Sequence, residues 1–159
     1  MSDPTAGDLA ATARKTYTVS LGGKDRVLRY SQLHGIAIQR RTGRAPRAVA
    51  ESMGTDQEAR LVMLTAGLAP PMKGGRFQIA ALMAWIDSNI EEVAGWLDDL
   101  VQSGQGLGPV YRQVTYAAYA SGMVLGVALD LEAVEREQER EQTVVVAEGK
   151  AEQPQQPQT

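Results

Sequence analysis

Hydrophobic and polar positions alternate sharply at one place in the chain, from Tyr17 to Tyr30. Tyr17, Val19 and Leu21 are separated by Thr18 and Ser20, the period of two expected of a strand with one buried face. Gly22-Gly23 follows, two residues free to take positive φ in a tight turn, and Arg26 to Tyr30 returns with Leu28 and Tyr30 on one face. Ser31 is a suitable N-cap for a short helix carrying Leu33, Ile36, Ala37 and Ile38, which Thr42-Gly43 closes with a left-handed glycine. From there the period lengthens to that of helices. Pro46 opens a second short helix with Ala48, Val49 and Met53, stopped by Gly54. Thr55 to Glu58 has the form of a capping box for a helix over 56–66 that presents Leu61, Met63 and Leu64.

Ala69-Pro70-Pro71 to Gly74-Gly75-Arg76 is punctuated as a loop. Phe77, Ile79, Leu82, Met83 and Ile86 then lie at helical spacing, and Asp87-Ser88-Asn89 is expected to break that helix and cap another. The new helix carries Val93, Trp96, Leu97, Leu100 and Val101 as an i, i+3, i+4 stripe. After a glycine loop, Ser103 to Pro109, the pattern predicts one long helix from Val110 to about Gln142. Its first part, Val114 to Leu129, has no charge, and Ala118, Gly122 and Gly126 recur four apart, a row of small residues along which another helix could approach closely. The expected fold is mainly α, a short N-terminal β-hairpin followed by five or six helices. It is divided into a flexible arm (1–15), a hairpin-plus-helix domain (16–108), the long helix (109–142) and a disordered tail (143–159).

Composition narrows this little further. The chain has 159 residues, enough for one domain, and a core drawn from aliphatic residues because only 5% are aromatic. With no cysteine, disulfides, thiol catalysis and cysteine-bound metal are excluded. The start of the chain lacks the basic-then-apolar order of a secretory signal, and the apolar stretch before Asp130 is short for a membrane span. Charge changes the picture more. Residues 14–47 hold nine Lys/Arg against Asp25 alone, whereas the rest of the chain is acidic and the total is −3. That asymmetry favours contact between the basic third and an acidic surface, on a partner or in the same chain.

Candidate chemistry is sparse. His34 is the lone histidine, so a metal site would rest on carboxylates. Asp98-Asp99 and Glu91-Glu92 are adjacent pairs that diverge by about 100° on a helix, too far to share a substrate atom. Lys73-Gly74-Gly75-Arg76 lacks the spacing of a phosphate-binding loop, and Gly104 to Gly108 is a hinge. Arg40, Arg41, Arg44 and Arg47 cluster between two short helices. The residues after them, Ala48 to Met53, offer little to base edges, which argues against nucleic acid. No catalytic, cofactor-binding or metal-binding residue is expected.

The hairpin VSLGGKDRVLRYS (Val19–Ser31), the helix closing on RRTGR (Arg40–Arg44), the helix ending ARLVMLTAGL (Ala59–Leu68) and the stretch IEEVAGWLDDLV (Ile90–Val101) together resemble the tail assembly chaperones of long-tailed bacteriophages and related gene-transfer agents. The resemblance covers Tyr17 to about Gln102. It implies a non-catalytic protein of the host bacterial cytoplasm, absent from the mature virion. Such a protein binds the tape-measure protein and the major tail-tube protein during tail morphogenesis, and many relatives also exist as a longer, frameshifted form. On this reading the partner-binding residues are Arg40, Arg41, Arg44, Trp85, Trp96, Leu97 and Leu100. Ala118, Gly122 and Gly126 serve helix packing or a homo-oligomer, with no cofactor, nucleic acid or membrane involved. The alternative from a different class is a structural virion component, a tail-tube or head–tail adaptor subunit assembling through the C-terminal helix.

Overall fold

A computed structural model of the protein describes residues 15–72 and 78–152, with side chains described as far as Val144. The expected N-terminal arm up to residue 14, the Lys73–Arg76 loop and the tail from residue 153 lie outside the described residues. The protein is mainly helical. A two-stranded antiparallel hairpin, β1 (Tyr17–Leu21) and β2 (Lys24–Leu28), leads into α1 (Gln32–Thr42), α2 (Pro46–Ser52), α3 (Gln57–Gly67), α4 (Gln78–Gln102), α5 (Gly108–Ala120) and α6 (Leu131–Glu152). The chain divides into two units, one ending at Leu129 and the other beginning at Asp130.

In the first unit the hairpin forms as its alternation predicts. Tyr17, Val19, Leu21 and Leu28 are buried, Leu21 pairs with Lys24, and Gly22 and Gly23 take φ of 60° and 79°. Two consecutive positive φ values define the turn whose twist matches paired strands. Ser31 caps α1 by accepting from the His34 amide, and Gly43 ends it at φ 71°. Arg40 and Arg41 sit in its last turn, where positive charge faces the negative end of the helix dipole.

At the centre is α3. Ala59 and every residue from Val62 to Gly67 are buried, so the helix has partners on nearly all sides. It packs against α1, α2, α4, α5 and β2. Its N-cap is Asp56, whose Oδ1 accepts from the Ala59 amide at 3.2 Å, and not Thr55 as the capping-box pattern predicts. A carboxylate is favoured at that position by the positive helix end, and Arg44 adds a second reason by pairing with it. The hairpin is tied to the other end of α3. The Tyr30 hydroxyl donates to the Met63 carbonyl at 2.7 Å, the Arg29 amide donates to the Gly67 carbonyl at 2.8 Å, and the Tyr30 ring lies where a Gly67 side chain would stand.

Two expected breaks move. Asp87-Ser88-Asn89 does not interrupt the chain, and α4 runs unbroken for 25 residues. Ser88 Oγ and Asn89 Nδ2 donate to the carbonyls one turn back, Ala84 and Trp85, both at 2.8 Å, so both side chains are accommodated inside the helix. The buried stripe of Leu82, Ile86, Val93 and Leu97 carries across the site of the expected break. Conversely, the long helix expected from Val110 to Gln142 stops at Ala120. Ser121 Oγ donates to the Ala118 carbonyl at 2.6 Å and accepts from the Met123 amide at 3.1 Å, while Gly122 and Gly126 adopt φ of 80° and 77°. The chain folds back there, the Leu129 amide reaching the Tyr119 carbonyl at 3.0 Å, and Met123 and Val124 enter the core. A helix continued through this stretch would have exposed part of an apolar surface with no polar side.

The second unit is α6. Asp130 Oδ1 accepts from the Ala133 amide, and the helix extends to Glu152, ten residues into the segment expected to be a disordered tail. Glu, Gln, Arg and Ala are good helix formers, and no proline intervenes before Pro154.

Two substitutions test these features. Gly67→Ala drives a methyl into the Tyr30 ring and is expected to cost about 1–3 kcal/mol, read as a lower midpoint in urea unfolding. Placing the same change in a Tyr30→Ala background should remove most of that increment. Gly122→Ala is expected to destabilise by about 1–2 kcal/mol because alanine disfavours the left-handed region. On a continuous helix the same substitution would stabilise by roughly 1 kcal/mol, so the sign of the shift in thermal unfolding decides between the two structures.

Candidate functional site

The arginine cluster is largely used inside the molecule. Arg44 donates to Asp56 Oδ2 at 2.9 Å and to Ser52 Oγ at 3.2 Å, tying the loop after α1 to the end of α2 and the start of α3. Amide donation from Ala59, with Arg44 beside it, holds the Asp56 carboxyl below the usual carboxylate range. Arg41 pairs with Asp87 at the middle of α4, and Arg47 with Glu51 one turn along α2. Arg40 is exposed. The charge asymmetry of the sequence is therefore met within the chain at Arg41 and Arg44.

The tryptophans and leucines separate by role. Leu97 is 7% exposed and belongs to the core, so it cannot serve a partner as expected. Trp85 is half-buried. Trp96, also half-buried, lies under the Arg26 guanidinium, 3.9 Å from the ring centroid, while Arg26 Nε donates to the Leu21 carbonyl at 2.9 Å. The same indole occupies the space beside Gly22, where a Cβ would come within 2.8 Å of it. Leu100 is half-buried and lines two surface depressions. Ala118 is fully buried on α5, but Gly122 and Gly126 lie beyond the helix and serve the chain reversal. The small-residue row expected for helix packing does not exist.

Leu100 belongs to a feature that sequence reasoning missed. Two depressions of about 430 and 420 Å³ share Ser20, Leu100 and Gln105. One lies between the hairpin turn, Trp96 and Asp99. The other runs along Thr18, Val19 and Ser20 and is closed by Gly106, Pro109 and Val110. The loop read as a hinge is thus one wall of a groove beside β1. Its sequence signal was the polar pair Thr18 and Ser20, and among the described residues β1 pairs with β2 alone.

A smaller hollow of about 210 Å³ includes His34, Ser31, Leu33, Ala69, Pro70 and Leu82. His34 Nδ1 is 2.8 Å from Ser31 Oγ, the ring meets Tyr30 edge-on, and Nε2 is buried without a partner. Burial lowers its pKa to about 4 and pushes the Tyr30 phenol up, so the imidazole is neutral and the phenol stays a donor. Among the described residues no carboxylate, thiol or second imidazole lines the hollow with His34, and no group of three or more His, Asp or Glu is placed to hold a metal ion. No helix among the described residues is long and apolar enough to cross a membrane. Comparison of the chain with protein-family models, with curated proteins and with solved structures finds no match.

Because the folded chain binds a proton at His34 less readily than the unfolded chain, its contribution to stability is complete above the unfolded pKa near 6.5. It is lost as pH falls through that value toward about 4. His34→Gln should flatten the part of the stability–pH curve between those limits, and NMR titration of the wild-type imidazole should give a midpoint near 4.

Proposed function

We propose that the protein is a non-catalytic tail assembly chaperone, which binds the tape-measure protein and the major tail-tube protein in the host cytoplasm during tail morphogenesis and leaves before the virion is complete. The resemblance over Tyr17–Gln102 motivates this reading. The observation that supports it is the width of the apolar face on α4. Beside the buried stripe of that helix lie Met83, Ile90 and Ala94, all half-buried, and Val101, which is 55% exposed. At 100° per residue these four fall within about 40° of one another, a continuous strip along one flank of the helix. Such a strip suits the apolar side of a second amphipathic helix, and methionine adapts to varied partners. The arginines enter the reading differently: Arg41 and Arg44 hold the scaffold, and Arg40 remains for a partner. The virion-subunit alternative drew on the Ala118/Gly122/Gly126 row, which is absent, and no observation favours it.

Co-expression tests the assignment. A gene for this protein should lie between those for the major tail protein and a very long tape-measure protein, and the protein should keep that tape-measure protein in the soluble fraction. Met83→Glu combined with Val101→Glu should reduce the soluble complex at least about tenfold while leaving the circular-dichroism melting curve unchanged, as expected when partly exposed apolar contacts are replaced by charge. Finding the protein in many copies in purified particles would overturn the assignment.

A further inference from the structure

The groove beside β1 has a property that a merely concave surface lacks: one of its walls is unpaired backbone. Leu21 and Lys24 close a two-residue turn and exchange both of their main-chain hydrogen bonds, so the next exchanging pairs are Val19 with Arg26 and Tyr17 with Leu28. The N–H and C=O groups of Thr18 and Ser20 therefore point away from β2. No other hydrogen bond of the described residues satisfies them, and among those residues β1 pairs with β2 alone. They open into the depression bounded by Leu100, Gly106, Pro109 and Val110. Gly106 adds no side chain to that space and has nothing within 4 Å of where one would stand.

We infer that this groove binds an extended segment of a partner protein as a third strand on β1, with a lysine or arginine of that segment directed to Asp99. Main-chain pairing with Thr18 and Ser20 supplies the register, and the apolar surface of Leu100 and Val110 takes alternate side chains of the incoming strand. Charge selects the basic residue. Asp99 is exposed and forms no ion pair among the described residues, and Asp98 stands next to it on α4. Asp25 at the same end is engaged by the Ser20 hydroxyl, Lys24 lines the same depression, and the Arg26 guanidinium is held over Trp96 beside it. A second copy of this chain is the poorer occupant, since its own β1 is walled by the same loop and would bring Asp99 against Asp99. A strand matching the five residues of β1 would span roughly 17 Å, so a heptapeptide suffices. This goes beyond the chaperone assignment, because it concerns any partner offering an extended basic segment and uses a surface distinct from the α4 strip.

Selection of a random heptapeptide library on the full chain, followed by NMR titration with the enriched synthetic peptides, tests the inference independently of any tape-measure protein. Enriched peptides are expected to alternate apolar and polar residues and to carry lysine or arginine. They should shift the Thr18 and Ser20 amides and slow the exchange of those amides at least about tenfold. N-methylation of the peptide amides that face β1 should abolish binding, which needs no variant of the protein to fold. Asp99→Lys, an exposed change, should weaken a basic peptide about threefold to fivefold and not weaken its glutamate counterpart. Failure to enrich any peptide, shifts confined to other amides, or indifference to N-methylation would overturn the proposal. So would movement of Thr18 and Ser20 on dilution of the protein alone, which would place a second copy on the edge.

Discussion

The burial of α3 is the constraint on which the first unit depends. A helix enclosed on nearly every side must have small or apolar residues around its whole circumference, and Ala59, Val62, Met63, Leu64, Ala66 and Gly67 satisfy that demand. The exception is Thr65, fully buried with its hydroxyl unpartnered. The same enclosure explains why the last turn ends in glycine: Tyr30 must lie against the backbone to reach the Met63 carbonyl. Through that contact the hairpin, the first element of the domain, is fixed to the centre of the helical assembly. The position of the β1 groove follows from it.

Local grammar made the hairpin, the caps of α1 and the proline start of α2 legible, because each is set by residues within a few positions of one another. The other elements were governed by interactions the pattern does not display. Asp87-Ser88-Asn89 is a break by composition, yet the stripe from Leu82 to Leu97 needs an unbroken helix, and side-chain bonding to the preceding turn makes that affordable. The stretch from Val114 to Leu129 is helical by composition, yet no helix can bury an apolar surface on every side at the edge of a small core. Ser121, Gly122 and Gly126 turn it back. Small residues four apart are consistent with either a packing row or two left-handed turns, and the spacing alone cannot choose between them.

Charge was legible as an asymmetry but not as a destination. Arg44 and Arg41 pair with Asp56 and Asp87, which lie within the acidic stretch that begins at Ala48. Exposed ion pairs of this kind contribute little to stability, typically under about 1 kcal/mol each. Their consequence is geometrical: Arg44 joins three successive elements, and Arg41 joins α1 to the middle of α4. The surface left for recognition is correspondingly less basic than the sequence implies. Of the two surfaces proposed above, the α4 flank is apolar and the groove near Asp99 has an acidic end.

These two surfaces offer different chemistry to different conformations. The α4 flank presents apolar side chains at helical spacing and no unsatisfied backbone, so it can distinguish partners only by shape and hydrophobicity. The β1 edge presents two donors and two acceptors at strand spacing, which a helix cannot satisfy because its own main chain is already paired. On the two proposals, a long client with both helical and extended portions would offer each surface the segment it suits. Tethering would then raise the effective concentration of the second segment once the first is bound, so modest affinity at each surface would suffice for capture while leaving either contact separately reversible. Under the chaperone reading proposed above the client is released, and a shallow groove with main-chain pairing meets that requirement better than a deep apolar pocket.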